Sequence, residues 1–248
     1  MSPEPYKTPP GREDEAYDFA ESTVPTRYNM IASTPRSGGT LLSQHLWNSG
    51  IMGAPAEYFG FYSTFLRLVA RFRPDTIEKY MLKLMPHRTA ANGVFGFKAN
   101  YDHIQFMALP GMLNRLNQMQ GIAVERRDHL AQAVSHARAL QTGQWDSLNK
   151  NRRAEPAYNA DHIRWSANHL DQQRRGWKAF FEQHNVMPVM VDYDALAADP
   201  AGIAAQIIAQ ANVPHEPVTS VNVPLLERQA DTINAEWIAR FKEESGTS

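Results

Sequence analysis

The sequence predicts an α/β fold, a central parallel sheet with helices on both faces, in a single domain. Three observations predict it. Short apolar runs alternate along the chain with longer segments of helical periodicity, the order expected of βαβ units. The first run, residues 28–33, enters a turn holding the adjacent glycines Gly38 and Gly39 and leaves it as a helix, residues 39–47. The chain has 248 residues, 43% of them hydrophobic, enough to bury one core of this size.

The elements follow in order. Residues 1–26 are polar, acidic and proline-rich without a repeating apolar face, and are expected to form an N-terminal arm, flexible or laid over the surface. The domain then spans 27–248. Residues 61–85 read as mostly helical, divided at Pro74. Asn92–Gly93 turns the chain into the strand GVFGFK; residues 105–119 suggest another helix, and GIAVER, residues 121–126, another strand. Asp128 is placed to cap a helix in which Leu130, Ala133, Val134, Ala137 and Leu140 form a buried stripe. Asp161 precedes a long helix with Ile163, Ala167, Leu170, Trp177 and Phe181 on one side, and Trp165, Trp177 and Phe181 read as core. VMPVMVDYDAL is strand then turn, with Tyr193 and Asp194 structural, and Pro200 opens a helix running through Ala211. A loop and an amphipathic helix end the chain.

Composition excludes several function classes. The formal charge of -1 gives no overall attraction to nucleic acid or membrane surfaces, so any anion recognition rests on local clusters. With no cysteine, disulfides, thiolate metal sites and a catalytic thiol are excluded. No apolar run suits a signal core or a transmembrane segment, and a cytoplasmic enzyme is expected. His129 and His136, like His162 and His169, are seven residues apart, two helical turns, a spacing at which no pair chelates one metal alone. No metal is expected.

The turn TPRSGGT carries the chemistry. Between a parallel strand and a helix it aims backbone N–H groups and the positive helix end at one point, which suits a phosphate. The fold is P-loop-like, yet Gly39, not lysine, precedes Thr40, so the Walker pattern is absent and Arg36 supplies the cation. The turn taken alone is equally an ordinary connection with Ser37 capping the helix.

Beyond the turn, the chain resembles the bacterial sulfotransferases of the trehalose 2-sulfotransferase family, which use 3′-phosphoadenosine 5′-phosphosulfate (PAPS). TPRSGGTLL is similar to their 5′-phosphosulfate loop, with Arg36 where many members carry lysine. GAPAEYF, GVFGFK, Gln132 to Ser135, Gln141–Thr142 with Trp145, and LERQAD with Glu236–Trp237 follow in family order. The resemblance implies PAPS bound by Arg36, Ser37, Gly38, Gly39 and Thr40, with Arg126 and Ser135 on the 3′-phosphate and Arg228 and Gln229 folding over the nucleotide. Arg127 competes with Arg126 for that role. Glu57, a surface acid on its own, becomes the general base; Lys98 and Arg36 offset charge in the transfer, and Asn100 and His103 lie near the acceptor. The implied acceptor is a hydroxyl of a carbohydrate or glycolipid, and a homodimer is implied too. Ala54 departs from the pattern, since the trehalose enzyme has a second acid there. A P-loop small-molecule kinase and a non-catalytic nucleotide-binding module are the alternatives.

Overall fold

A computed structural model describes residues 11–20, 23–60, 63–104, 108, 111–148, 154–211, 213–214, 222–226 and 232–246. Its sheet has four parallel strands in the order β2-β1-β3-β4: β1 Arg27–Ser33, β2 Val94–Asn100, β3 Met119–Glu125 and β4 Val189–Asp192. Ile31 stands opposite Lys98 on one side and Ile122 on the other. Strands buried on both faces read as continuous apolar runs, which explains why these segments lack alternation.

The helices are α1 Gly39–Asn48, α2 Ser63–Phe72, α3 Ile77–Arg88, α4 His129–Thr142, α5 Ala160–Gln183, α6 Tyr193–Ala198, α7 Pro200–Gln210 and α8 Thr232–Ser245. Successive strand residues feed opposite faces. Met30 joins Phe95, Phe97 and Trp177 in one cluster, whereas Ile31 joins Leu42, Leu46, Val191 and Ile207 in another. A third cluster binds α4, α5 and α8 through Val134, Ile163, Leu170 and Trp237.

Local signals act as expected at several ends. Asp128 accepts the Ala131 N–H at 2.8 Å and caps α4, and Pro200 opens α7 beneath the Asp199 cap. Four expectations need correction. The segment 105–119 does not form one helix across its described part: Gly111 starts a 3-10 helix, Met112–Gln118, and β3 already begins at Met119. Asn159, not Asp161, caps α5. Two side chains expected in the interior are exposed: Trp165, at 54%, because two residues from Ile163 it projects away from the buried stripe, and Leu140, at 46%, in the last turn of α4.

The fourth concerns the arm. Within 11–20, Tyr17 and Phe19 are buried in the main cluster, and Asp18 pairs with Arg71, with Arg88 at 3.0 Å and with His87 at 3.5 Å. Arg88 is wholly buried, so its charge requires such a partner. This stretch is a strap built into the core.

Candidate active site

Parallel strands end at one edge of the sheet, and there the strand-to-helix connections converge. After β1, Arg36 takes the left-handed conformation (φ 66°), which costs a non-glycine residue about 1–3 kcal/mol. Its neighbours hold it there. Its Nε donates to Ser135 Oγ at 2.9 Å, its Nη1 donates to the Trp145 carbonyl, and its own carbonyl accepts from Arg126 Nη1 at 3.5 Å. Gln132 Nε2 fixes the turn from above, donating to Thr34 Oγ1 and the Pro35 carbonyl, both at 2.8 Å. Gly38 is also left-handed (φ 93°), and a Cβ on Gly39 would stand 2.7 Å from Ser33 Cβ, so only glycine lets α1 start this close to β1. Ser37 is fully buried, and among the described residues nothing reaches its Oγ. It does not cap α1: Gly38 holds the N-cap position without a side-chain bond.

The two arginines after β3 diverge. Arg126 turns inward, its guanidinium 4.7 Å above the Tyr193 ring and within reach of the turn. Arg127, 82% exposed, pairs with Asp192 at 2.9 Å. Ser135 faces the turn, bonded to Arg36 instead of to its own helix backbone. Burial, and then the Arg126 guanidinium, lower the pKa of Arg36, so a compact cationic pair lines this end of the edge. An anion placed between the two would relieve their repulsion.

Glu57 reaches the same edge by backbone packing. A Cβ on Gly53 would lie 2.2 Å from Gly96 N, and one on Gly96 would lie 2.3 Å from the Met52 carbonyl. These two glycines let the 53–58 segment lie flat on β2, where Lys98 N–H donates to the Ala56 carbonyl at 2.9 Å. Glu57 Oε1 then sits 2.5 Å from Lys98 Nζ. Burial alone would raise the Glu57 pKa, but Lys98 and His103 reverse it and hold the carboxyl below its ordinary value. His103, 2% exposed, accepts the Asn100 N–H on Nδ1 at 3.3 Å, and burial depresses its own pKa. Asn100 Oδ1 in turn accepts from Ser33 Oγ at 3.3 Å, which links β2 to the end of β1.

The family model for Stf0 sulphotransferase matches residues 28–244, nearly the whole chain. The chain belongs to the Stf0 sulphotransferase family. It is similar to the trehalose 2-sulfotransferase of Mycolicibacterium smegmatis, 28% identical over 265 residues, covering 90% of this chain and 97% of that protein. It is also similar to the enzyme of that name from Mycobacterium tuberculosis, 26% identical over 255 residues, covering 87% of this chain and 94% of the relative.

In this sulfotransferase the fold gathers Arg36, Ser37, Gly38, Gly39, Thr40, Arg126 and Ser135 around the turn, with Lys98 and Asn100 on β2, His103 just after it and Glu57 on the segment packed against it. Arg228 and Gln229 lie outside the described residues. Sequence reasoning missed Gln132 as a clamp on the turn, although it had singled out the segment Gln132 to Ser135. It missed Tyr193 as the seat of Arg126, and Arg12, which pairs with Asp146 at 3.3 Å and adds to the field that keeps Glu57 ionised. Among the described residues, no group of three or more His, Asp or Glu could hold a metal ion, and no helix is long and apolar enough to cross a membrane.

Proposed function

We propose that this sulfotransferase moves a sulfuryl group from PAPS to a hydroxyl of a carbohydrate or glycolipid, with Glu57 as general base. The observation that carries the reading is the meeting, at one sheet edge, of a glycine turn holding an unpartnered buried Ser37 Oγ and a carboxylate kept ionised by Lys98. The residues fit the donor. Ser37 Oγ and the backbone amides up to Thr40 suit the 5′-phosphosulfate, and Arg36 answers its charge; Arg126, with Ser135 beside it, suits the 3′-phosphate.

In the step itself Glu57 takes the acceptor proton while the acceptor oxygen attacks sulfur. The bond from sulfur to the bridging oxygen breaks, and adenosine 3′,5′-bisphosphate leaves with the bonding pair. Arg36, the turn amides and Lys98 offset the charge on that leaving oxygen. The phosphosulfate also competes with Glu57 for Lys98, so donor binding would loosen the ion pair and free the base. A sulfuryl group carries less charge than a phosphoryl group, so no metal is required, whereas a kinase would need the missing Walker lysine and magnesium.

Both relatives bear trehalose in their names, which makes it the first acceptor to try. We take the enzyme as a cytoplasmic homodimer. The test is Glu57→Gln: turnover should fall by about 100-fold or more while affinity for adenosine 3′,5′-bisphosphate stays the same. A variant with unchanged turnover would remove Glu57 as the base, and wild-type protein that produces no sulfated product with PAPS would remove the function.

A further inference from the structure

We propose that the open side of Trp165, backed by the stacked rings of His169 and His136 and flanked by Trp145, is a sugar subsite, holding the ring of the acceptor next to the one sulfated. The inference rests on the carbohydrate reading above and adds to it a place and a minimum size for the acceptor.

Helix α5 connects this face to the base. Trp165, His169, Gln173 and Gly176 follow one another along one side of it. At the inner end Gly176 packs on the Tyr101 ring, and Gln173 Oε1 accepts the Tyr101 N–H at 2.7 Å. Tyr101 directly follows β2, three residues after Lys98. From Gln173 outward to Trp165 is eight residues, about 12 Å of helix, so a ring on Trp165 is a second ring, separate from one held at the base. At its other margin the face touches the phosphate turn: His136 neighbours Ser135, and the Trp145 carbonyl accepts from Arg36.

Three of the rings are stacked. Trp165 and His169 lie 5.0 Å apart at 6°, His136 and His169 5.6 Å apart at 14°, and His136 and Trp165 6.1 Å apart at 12°. Parallel rings this close overlap face to face with an offset, so His169 and His136 back Trp165 on one side and leave the rest of its ring, 54% exposed, open. Trp145, tilted 58° from His136 at 5.8 Å, makes its side wall.

Packing accounts for His136, which is 3% exposed, but not for the two tryptophans beside it. Trp47, Trp177 and Trp237 are buried, whereas Trp145 and Trp165 are 45% and 54% exposed. Trp165 also borders an open cavity of about 410 Å³ with Leu140, Gln141 and His162, a volume within the usual ligand range of about 300–1,000 Å³. Gln141 and His162 give its rim hydrogen-bonding groups beside an apolar floor. A pyranose matches that combination, since it has an apolar C–H face and hydroxyls around its edge. Two other occupants are flat or apolar enough to compete, the donor's adenine and a second copy of this chain, and the experiment separates them.

Wild type, Trp165→Ala and Trp165→Phe would be assayed with PAPS on trehalose, maltose, sucrose and lactose, and on glucose and galactose as single-ring controls. Trp165 is exposed, so the variants should fold. On the best disaccharide, KM should rise roughly tenfold in the alanine variant with kcat little changed, phenylalanine should restore most of it, and single-ring sugars should be unaffected. The melting shift given by adenosine 3′,5′-bisphosphate and the mass seen by light scattering should not change. An unaltered disaccharide KM overturns the subsite. A smaller bisphosphate shift overturns it in favour of adenine, and a loss of mass overturns it in favour of a subunit interface. If wild type binds the bisphosphate yet sulfates no sugar in the set, the carbohydrate reading itself has failed, and that failure is visible before any variant is made.

Discussion

Lys98 acts on Glu57 in two opposed ways: it secures the ionised form and at the same time makes the carboxylate a weaker base. The net direction sets the pH dependence. The folded pKa of Glu57 lies below its ordinary 4.5, so the base is charged above that range and activity is lost only as pH falls through the depressed value. In Lys98→Met the largest remaining influence is burial, which raises the pKa, and the acid limb of kcat/KM should move to higher pH. A pH–rate profile of both proteins checks this, and an unmoved limb would dissociate Glu57 from the limb or Lys98 from Glu57. Single residues were the least legible part of the site. The sequence favoured Arg126 over Arg127 without a physical reason to separate them, because what does so, Tyr193 and Asp192, arrives from β4 and α6, far along the chain. Trp165 was misplaced in the core because aromatic content was read there without its position on the helix.

At the scale of elements, the recurrent glycines in GAPAEYF and GVFGFK have a mechanical meaning. Gly53 and Gly96 touch across the edge of β2, so the loop can lie on the strand and present its glutamate to the strand's lysine. Gly96→Ala would drive a methyl to 2.3 Å from the Met52 carbonyl, which is backbone and cannot rotate away. Its expected cost is about 1–3 kcal/mol of stability from overpacking, together with a fall in kcat, because Glu57 is displaced. The donor site on the far side of Ser33 should keep its affinity. Calorimetry and a titration with the bisphosphate read the two effects separately, and wild-type kcat in this variant would show that the close approach does not position the base. The strands and most helices were legible because apolar runs, Asp128 and Pro200 act locally. The segment before β3 was not, because Gly111 and the early strand start override a helical pattern that is otherwise plausible.

For the whole molecule, topology matters more than composition. A formal charge of -1 conceals a cluster in which Arg36 and Arg126 meet at one sheet edge, beside the Lys98–Glu57 pair. The strap at 11–20 was illegible for a related reason: its anchors, Arg71 and Arg88, belong to α2 and α3, so the acidic run only makes sense folded against them. Four of the blocks in family order, TPRSGGT, GAPAEYF, GVFGFK and Gln132 to Ser135, were legible because they meet at this one edge. The central claim is that the edge recognises a nucleotide bearing both a 5′- and a 3′-phosphate. It is tested most directly by comparing melting of the protein with adenosine 3′,5′-bisphosphate and with ATP–magnesium at matched concentrations. Ligand at a hundred times its dissociation constant adds about 2.7 kcal/mol, readily seen as a higher Tm. The account predicts stabilisation by the bisphosphate that is lost in Arg126→Ala; stabilisation by ATP–magnesium alone would contradict it and favour a kinase.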